Sequence, residues 1–321
     1  MKRDHGGDID AAAGRFGPGD WIDLSTGINR RPWPVGDLPP EVWRALPTAS
    51  ATDRLIRMAS DWFGCPADRV LPVAGASAAI QMIPRLLPAG RAAVIAPSYN
   101  EHAASLRAAG WRVAEVGTTE AMAGADLAVV VNPNNPDGRD WRPEVLAQLA
   151  GAVGHLVVDE SFADARPDLS LAPALPPNAL VLRSFGKFWG LAGLRLGFVL
   201  ARPDLLARLS EAAGPWAVNG PALHIGAQAM ADRAWADDTI VHHAEAALRL
   251  DRLALRADWR PAGGTHLFRL YDTGDAASAQ DRLARAHVWS RRFPYSPSWL
   301  RLGIPGNPAE WDRLSHALRK I

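Results

Sequence analysis

The sequence predicts an α/β protein with a mostly parallel central sheet, helices on both of its faces, and a small α+β lobe at the C-terminus. Three observations lead there. Short, wholly apolar runs end in turn residues; helical patterns lie between them; and beyond a long helical stretch the pattern changes to isolated strands with turns.

Residues 1–40 are rich in Gly and Pro and read as an ordered arm that contributes to the substrate site rather than as a domain. Residues 41–250 hold the predicted large domain. Its strands are VLPVAG (70–75), AAVIAP (92–97), LAVVVNP (127–133), HLVVDES (155–161) and ALVLRSF (179–185). Runs of this length without polar alternation suit strands covered on both faces. Between them ASAAIQMIPRLL and PEVLAQLAGAV read as helices, so the rhythm is strand, helix, strand. The segment 203–256 reads as helices interrupted at Pro215 and Gly220-Pro221. Residues 251–321 form the expected small C-terminal domain, with strands in GGTHLFRL (263–270) and WLRLGI (299–304).

Composition narrows the function classes. A chain of 321 residues, 48% hydrophobic and with net charge +1, can bury a large core and has no bulk electrostatic footprint for nucleic acid. The single cysteine, Cys65, excludes an intrachain disulfide and any multi-cysteine metal site, so no metal is expected and a reducing cytoplasm is the default. Cys65 itself reads as a buried structural thiol. The N-terminal MKRDHGGDIDAAAG has no apolar leader region, and no stretch reaches the ~18 apolar residues a bilayer span needs, so no membrane association is expected.

In open α/β sheets ligands sit beyond the carboxyl ends of the strands. Ser77, Tyr99, Asn135, Asp159 and Lys187 all follow the apolar runs and are candidates to share one crevice. Lys187 stands out, because only three of the 35 basic residues are lysines and the other two, Lys2 and Lys320, lie at the chain ends. A loop lysine is ordinarily just solvated. Here Phe185, Phe188, Trp189 and Leu191 surround it, and desolvation makes the neutral amine available to attack an aldehyde, which arginine cannot do. Ser184 and Arg195, at −3 and +8, could hold a phosphate on such an aldehyde. Asp159 ends a buried strand, and an ionised carboxylate there needs a cationic partner.

The stretch SFGKFWGLAGLRLG (184–197) resembles the lysine motif of the fold-type I pyridoxal-phosphate enzymes, the aspartate-aminotransferase superfamily. Further motifs follow that family in order over most of the chain. VAGASAAI resembles its phosphate cup, which implies cofactor contacts from Ala76 and Ser77 at a helix N-terminus. APSYNEH resembles the loop whose ring stacks on the pyridine; Tyr99 matches that ring, and His102 a histidine behind the pyridinium's aspartate. VVVNPNNPDG resembles the Asn-Pro-x-Gly turn, which implies that Asn135 bonds the cofactor's phenolic oxygen. Asp159 in LVVDESF matches the residue that pairs with the pyridinium, and Arg301 in WLRLGI the residue that binds the substrate's α-carboxylate. The resemblance therefore implies pyridoxal 5'-phosphate held by Ala76, Ser77, Tyr99, Asn135, Asp159, Ser184, Lys187 and Arg195, with Lys187, Asp159 and Tyr99 catalytic. It also implies a homodimer. Two positions depart from the pattern: Phe162 replaces a tyrosine that donates to the phenolic oxygen, and Leu46 replaces one that reaches the neighbouring subunit's phosphate site.

These motifs are shared by transaminases and decarboxylases, which differ in the bond to Cα that is held perpendicular to the ring. The N-terminal arm discriminates. HGGD (5–8) and LSTGINRRPWP (24–34) resemble the signatures of the threonine-phosphate decarboxylases of cobalamin biosynthesis. That likeness implies substrate contacts from His5, Gly6 and Asn29, with Asn135 and Arg301, and a phosphate contact from Arg291 in VWSRR. The implied substrate is a small phosphorylated amino acid, L-threonine O-3-phosphate. Asp8 stands where that group has asparagine, and a carboxylate facing a phosphate would be unfavourable. The alternative is an aminotransferase for a phosphorylated substrate, such as histidinol phosphate. A non-catalytic cofactor-binding scaffold is disfavoured by the intact Lys187, Asp159 and Arg301.

Overall fold

The computed structural model describes residues 5–319. The arm carries α1 (Ile9–Phe16) and β1 (Ile22–Asp23), followed by α2 (Glu41–Arg44) and α3 (Ala49–Phe63). The alternating region then runs β2 (Val70–Val73), α4 (Ala76–Leu86), β3 (Arg91–Ile95), α5 (Asn100–Ala108), β4 (Arg112–Val116), β5 (Leu127–Val131), α6 (Pro143–Ala152), β6 (His155–Asp159), β7 (Ala179–Ser184), α7 (Phe185–Phe188) and β8 (Gly197–Leu200). Three helices follow, α8 (Pro203–Ala213), α9 (Gly220–Ala231) and α10 (Arg233–Arg256). The chain closes with β9 (Arg260–Gly264), β10 (Phe268–Asp272), α11 (Ala276–Arg285), β11 (Val288–Trp289), β12 (Arg291–Phe293), β13 (Ser296–Gly303) and α12 (Pro308–Leu318). The five strands read from the apolar runs are all present.

Local chemistry accounts for the boundaries. Thr48 caps α3 by accepting from the Ala51 amide at 3.2 Å, and Gly64 ends that helix in the left-handed region at φ 66°. Pro143 and Pro203 open α6 and α8, where a missing N–H costs nothing. The side chains of Asn219, Asp275 and Asn307 cap α9, α11 and α12. Every residue of LAVVV in β5 is buried, as a strand covered on both faces requires.

The chain forms two compact units. The larger comprises residues 33–135 and 139–234, and it is built on a seven-stranded sheet of order β2-β8-β7-β6-β5-β3-β4. The strands from β4 to β7 are mutually parallel, while β8 is antiparallel to both its neighbours. Its core gathers Ile80, Ile83, Val94, Leu127, Val157, Leu182 and Leu209. Burial at this scale is worth roughly 1.5–3 kcal/mol per large side chain. Cys65 lies in this unit, 5% exposed, and burial pushes its thiol up to about 11, which makes it inert at neutral pH.

The smaller unit comprises residues 1–32, 136–138 and 235–321, of which 5–32 and 235–319 are described beside the short insert. Its four-stranded antiparallel sheet has order β12-β13-β10-β9, and β1 pairs in parallel with β11. Leu24, Leu250, Trp259, Tyr271, Leu283, Leu300 and Trp311 fill a separate core. The divisions thus fall near residues 32 and 235 rather than at 40 and 250. Backbone pairing explains the first: β1 and Leu24 bond to His287, Trp289 and Gly303, whereas Trp33 donates to the Trp189 carbonyl of the larger unit. The second follows from α10, a single helix of 24 residues whose start precedes the expected break. Among the described residues no helix is long and apolar enough to cross a membrane.

Candidate active site

In the larger unit the carboxyl ends of β2, β3, β5, β6 and β7 lie on one edge of the sheet, because these strands share a direction. Gly197, the first residue of β8, sits on that edge between Val73 and Ser184. A Cβ on Gly197 would collide with the Ala76 amide, so glycine lets α4 start directly against the strand. Helix α4 begins at Ala76 with no side chain capping its first amides. Ser77, next in the helix, is exposed. Arg195 lies over this helix start: its Nη2 is 2.9 Å from where a Gly75 Cβ would stand. Helix-start amides without a side-chain cap, an exposed hydroxyl and a guanidinium are the chemistry that can receive a phosphate.

Lys187 follows β7 in α7. Phe185, Phe188 and Trp189 around it are 1 to 2% exposed, whereas Lys187 and Ser184 are only half-buried. Its Nζ stands 5.7 Å from the Phe162 ring centroid, so the residue replacing the family's tyrosine gives the amine an aromatic face and no hydroxyl.

Asp159, 3% exposed, ends β6. Its Oδ2 is 2.8 Å from His102 Nε2, and its Oδ1 accepts from the Ser161 amide at 3.0 Å and the Ser161 hydroxyl at 2.5 Å. Burial alone would push this carboxyl up, yet the His102 and Ser161 bonds more than reverse it and hold it below the usual carboxylate range. Tyr99 caps α5 by position, half-buried, with its ring edge-on to His102 at 6.0 Å between centroids. Asn134 ties the next loop in: its amide donates to the Pro97 carbonyl at 2.9 Å and its oxygen accepts from Ser98 Oγ at 2.7 Å. Asn135, half-buried, follows directly.

The smaller unit holds the remaining candidates. Arg301 on β13 is 6% exposed, and its Nη2 donates to the Ser25 carbonyl at 2.7 Å. That same carbonyl lies 2.5 Å from the position of a Gly6 Cβ, so only glycine lets the arm close on it. The Gly7 amide donates to Ser25 Oγ at 2.7 Å, and Ser25 Oγ donates to Asp23 at 2.6 Å. His5 is exposed beside this clasp. Asn29 is buried at 2%, with its side-chain oxygen accepting from the Arg31 amide at 2.8 Å. Asp8 departs from the expected pattern for a local reason: it caps α1 by accepting from the Ala11 amide at 3.0 Å, so its charge serves a helix start.

Arg291 and Arg301 are direct cross-strand partners on β12 and β13. Both guanidinium groups approach the Phe293 ring, at 5.5 and 5.9 Å. Burial first, and then the charge of Arg291, lower Arg301 to about 10, which leaves it protonated at neutral pH. Like charges placed opposite one another cost stability, and the Asp23 carboxylate offsets part of that cost at Arg301.

Two features were missed in the sequence. Glu160 and Asp164 flank a buried Arg183, with contacts of 2.9 and 2.8 Å, and this network joins the residue after Asp159 to the residue before Ser184. The charged letters within apolar runs, VVDE and VLRS, were the available signal. Ser25 was missed too, although it lies within the LSTGINRRPWP stretch (24–34) already singled out.

Residues 20–318 match the family model described as aminotransferase class I and II. The threonine-phosphate decarboxylase of Pseudomonas aeruginosa is 43% identical, covering 98% of this chain and 97% of its own length. That of a Sinorhizobium species is 42% identical over 99% and 98%. Among solved structures, histidinol-phosphate aminotransferase from Sinorhizobium meliloti in complex with pyridoxal-5'-phosphate superposes with a TM-score of 0.83 over 96% of this chain and 93% of its own, at 21% identity.

Proposed function

Because the chain belongs to the aminotransferase class I and II family, we propose that it is a pyridoxal-phosphate-dependent decarboxylase. Its substrate is L-threonine O-3-phosphate and its products are carbon dioxide and (R)-1-amino-2-propanol phosphate, for cobalamin biosynthesis. The near-full-length likeness to two threonine-phosphate decarboxylases supports this reading. The observation that carries it in the structure is the cross-strand pair Arg291 and Arg301, with the Gly6 arm closed on the carbonyl that Arg301 also holds. Two adjacent cations fit a small substrate with a carboxylate and a phosphate.

The residues present fit the cofactor. The uncapped start of α4, Ser77, Ser184 and Arg195 would hold its phosphate, Tyr99 and Asn135 its ring, and Lys187 its aldehyde carbon. Asp159 is the buried carboxylate, kept ionised by His102 and Ser161, that would keep the pyridine nitrogen protonated. When bound, the group supplies an electron sink for a bond to the substrate's Cα. The chain's own residues choose the bond. Arg301 binds the α-carboxylate and Arg291, with His5, Gly6 and Asn29, binds the phosphate; two anchors set the rotation about Cα. As the carboxylate leaves as carbon dioxide, the Lys187 ammonium returns one proton to Cα, which balances the reaction. Phe162 offers no second donor to compete for the ring oxygen that Asn135 would hold.

The protein acts as a homodimer in this reading. Exposure of Trp43 (68%), Leu46 (63%) and Trp216 (59%) on the larger unit supports an apolar contact surface.

Incubation of the cofactor-loaded protein with threonine phosphate tests the reaction. Carbon dioxide release without a keto-acid acceptor is expected. A requirement for 2-oxoglutarate would assign an aminotransferase instead. Borohydride treatment is expected to fix the cofactor on the peptide containing residue 187; a label on Lys2 or Lys320 overturns the assignment of Lys187.

A further inference from the structure

The smaller unit contains a second concentration of positive charge, carried by α11 and α12 rather than by the strands of Arg291 and Arg301. A cavity of about 920 Å³ opens between the C-terminal turns of α11 and α12. Arg282, Arg285, Arg313, Arg319, His287 and His316 line it, against one carboxylate, Asp312. The whole chain has a net charge of only +1, so this is a local accumulation rather than a reflection of composition.

Pairing within the protein does not consume the charge. Arg313 is taken by Asp20 at 2.8 Å, and Arg282 lies over the Trp259 ring at 5.8 Å. Among the described residues no carboxylate lies within ion-pair distance of Arg282, Arg285 or Arg319. Basic side chains in the last turn of a helix ordinarily complement its dipole, and Arg282, Arg285 and His316 satisfy that description. That explanation accounts for about one charge per helix end and not for a shared hollow. One wall, moreover, is held rigidly. His287 adopts the left-handed region at φ 55°, its ring packed edge-on by Trp21 at 5.0 Å and closed behind by Gly19. The floor is apolar, formed by Ala286, Ala317 and the arginine stems.

We propose that this cavity is a binding site for a nucleoside diphosphate, with the diphosphate on Arg285, Arg319 and Arg282 and the base on the apolar floor beside His287. Size and charge select this class. The volume is that of pockets for whole small molecules, roughly 300–1,000 Å³. A phosphomonoester carries about −1.5 to −2 charges and leaves part of three arginines uncompensated, whereas a diphosphate matches them. Helix α11 packs against β12 and β13, which carry Arg291 and Arg301, so the ligand would rest on the scaffold of those residues.

Isothermal titration of the full-length, cofactor-loaded protein with ADP is the test, with inorganic pyrophosphate as the second probe. One saturable ADP site per chain is expected, with pyrophosphate at least about tenfold weaker because it lacks the base. The double variant Arg285→Glu/Arg319→Glu should weaken ADP by at least about tenfold while Arg291→Ala leaves it unchanged, and circular dichroism should confirm that both are folded. Absence of saturable ADP binding overturns the proposal, as does binding lost in Arg291→Ala but kept in the double variant. Pyrophosphate binding as tightly as ADP overturns the assignment of the base to the floor. Because the readout is binding rather than turnover, its failure leaves the decarboxylase reading untouched.

Discussion

Replacing Arg183 by methionine should destabilise the protein severely without altering its surface. Arg183 is 4% exposed and faces Glu160, fully buried, at 2.9 Å and Asp164, 6% exposed, at 2.8 Å. At an effective dielectric near 20, each contact is worth about 6 kcal/mol of attraction before desolvation is subtracted. Methionine keeps much of the volume and strands both carboxylates. Glu160 retains the Ser170 hydroxyl at 2.7 Å and the Leu171 amide at 2.7 Å, and Asp164 retains the Trp62 indole at 2.9 Å. With those donors in place the net loss should be about 3–5 kcal/mol, as for other buried pairs broken on one side. For a unit of about 200 residues this corresponds to roughly 6–20 °C in Tm. The sign with pH also follows. Burial already holds the Glu160 carboxyl above the usual carboxylate range, and losing Arg183 removes the largest influence opposing that, so the variant's deficit should widen as pH rises above the ordinary glutamate range. Calorimetry of wild type, Arg183→Met, and the triple variant Arg183→Met/Glu160→Gln/Asp164→Asn would check this, the triple variant recovering much of the loss. A single-variant Tm within about 2 °C of wild type, or a triple variant no better than the single, would refute the reasoning.

Other perturbations probe separate parts of the molecule. Among the described residues both ring nitrogens of His243 are buried without a partner, and burial, with His242 next, lowers its pKa to about 3. The unfolded chain therefore binds the extra proton between about pH 6.5 and 3, and wild-type stability should fall by up to ~1.4 kcal/mol per pH unit from this group alone; His243→Leu should flatten that acid limb in urea titrations at pH 6.5 and 4.5. Burial pushes the Glu310 carboxyl up, but Arg30, bidentate at 2.8 and 2.6 Å, and the Gly306 amide hold it below the ordinary range. Arg30→Met should cost about 1–2 kcal/mol at pH 7, and the difference from wild type should close as pH falls below about 4. Asp159→Asn should lower turnover by on the order of 10²-fold or more while leaving threonine phosphate affinity nearly unchanged, measured by single-turnover carbon dioxide release and by equilibrium binding; an equal loss in both would move Asp159 out of its assigned role.

Much of the larger unit was legible because its signals are local. Five buried strands announce themselves as apolar runs, and each candidate on the sheet edge is the polar residue that ends or follows one. Strand β4, by contrast, is the exposed edge sequence RVAEV and gives no such run. The role of Asp8 was readable only as an inconsistency. Asp8 looked wrong beside a phosphate, and the helix cap that resolves it depends on where α1 begins.

The sequence by itself determined the chemistry available to this protein: one interior lysine in an apolar setting, a carboxylate closing a buried strand, arginines near the C-terminus. These are properties of residue type and immediate neighbours. Tertiary structure decided what those groups do to one another. Cross-strand register set Arg291 opposite Arg301, folding of the arm put Gly6 on the carbonyl that Arg301 holds, and burial with His102 and Ser161 kept Asp159 ionised. Register, burial and contact between residues hundreds of positions apart arise only when the chain packs, because the interaction of two charges depends on the distance and dielectric between them and not on their separation in sequence.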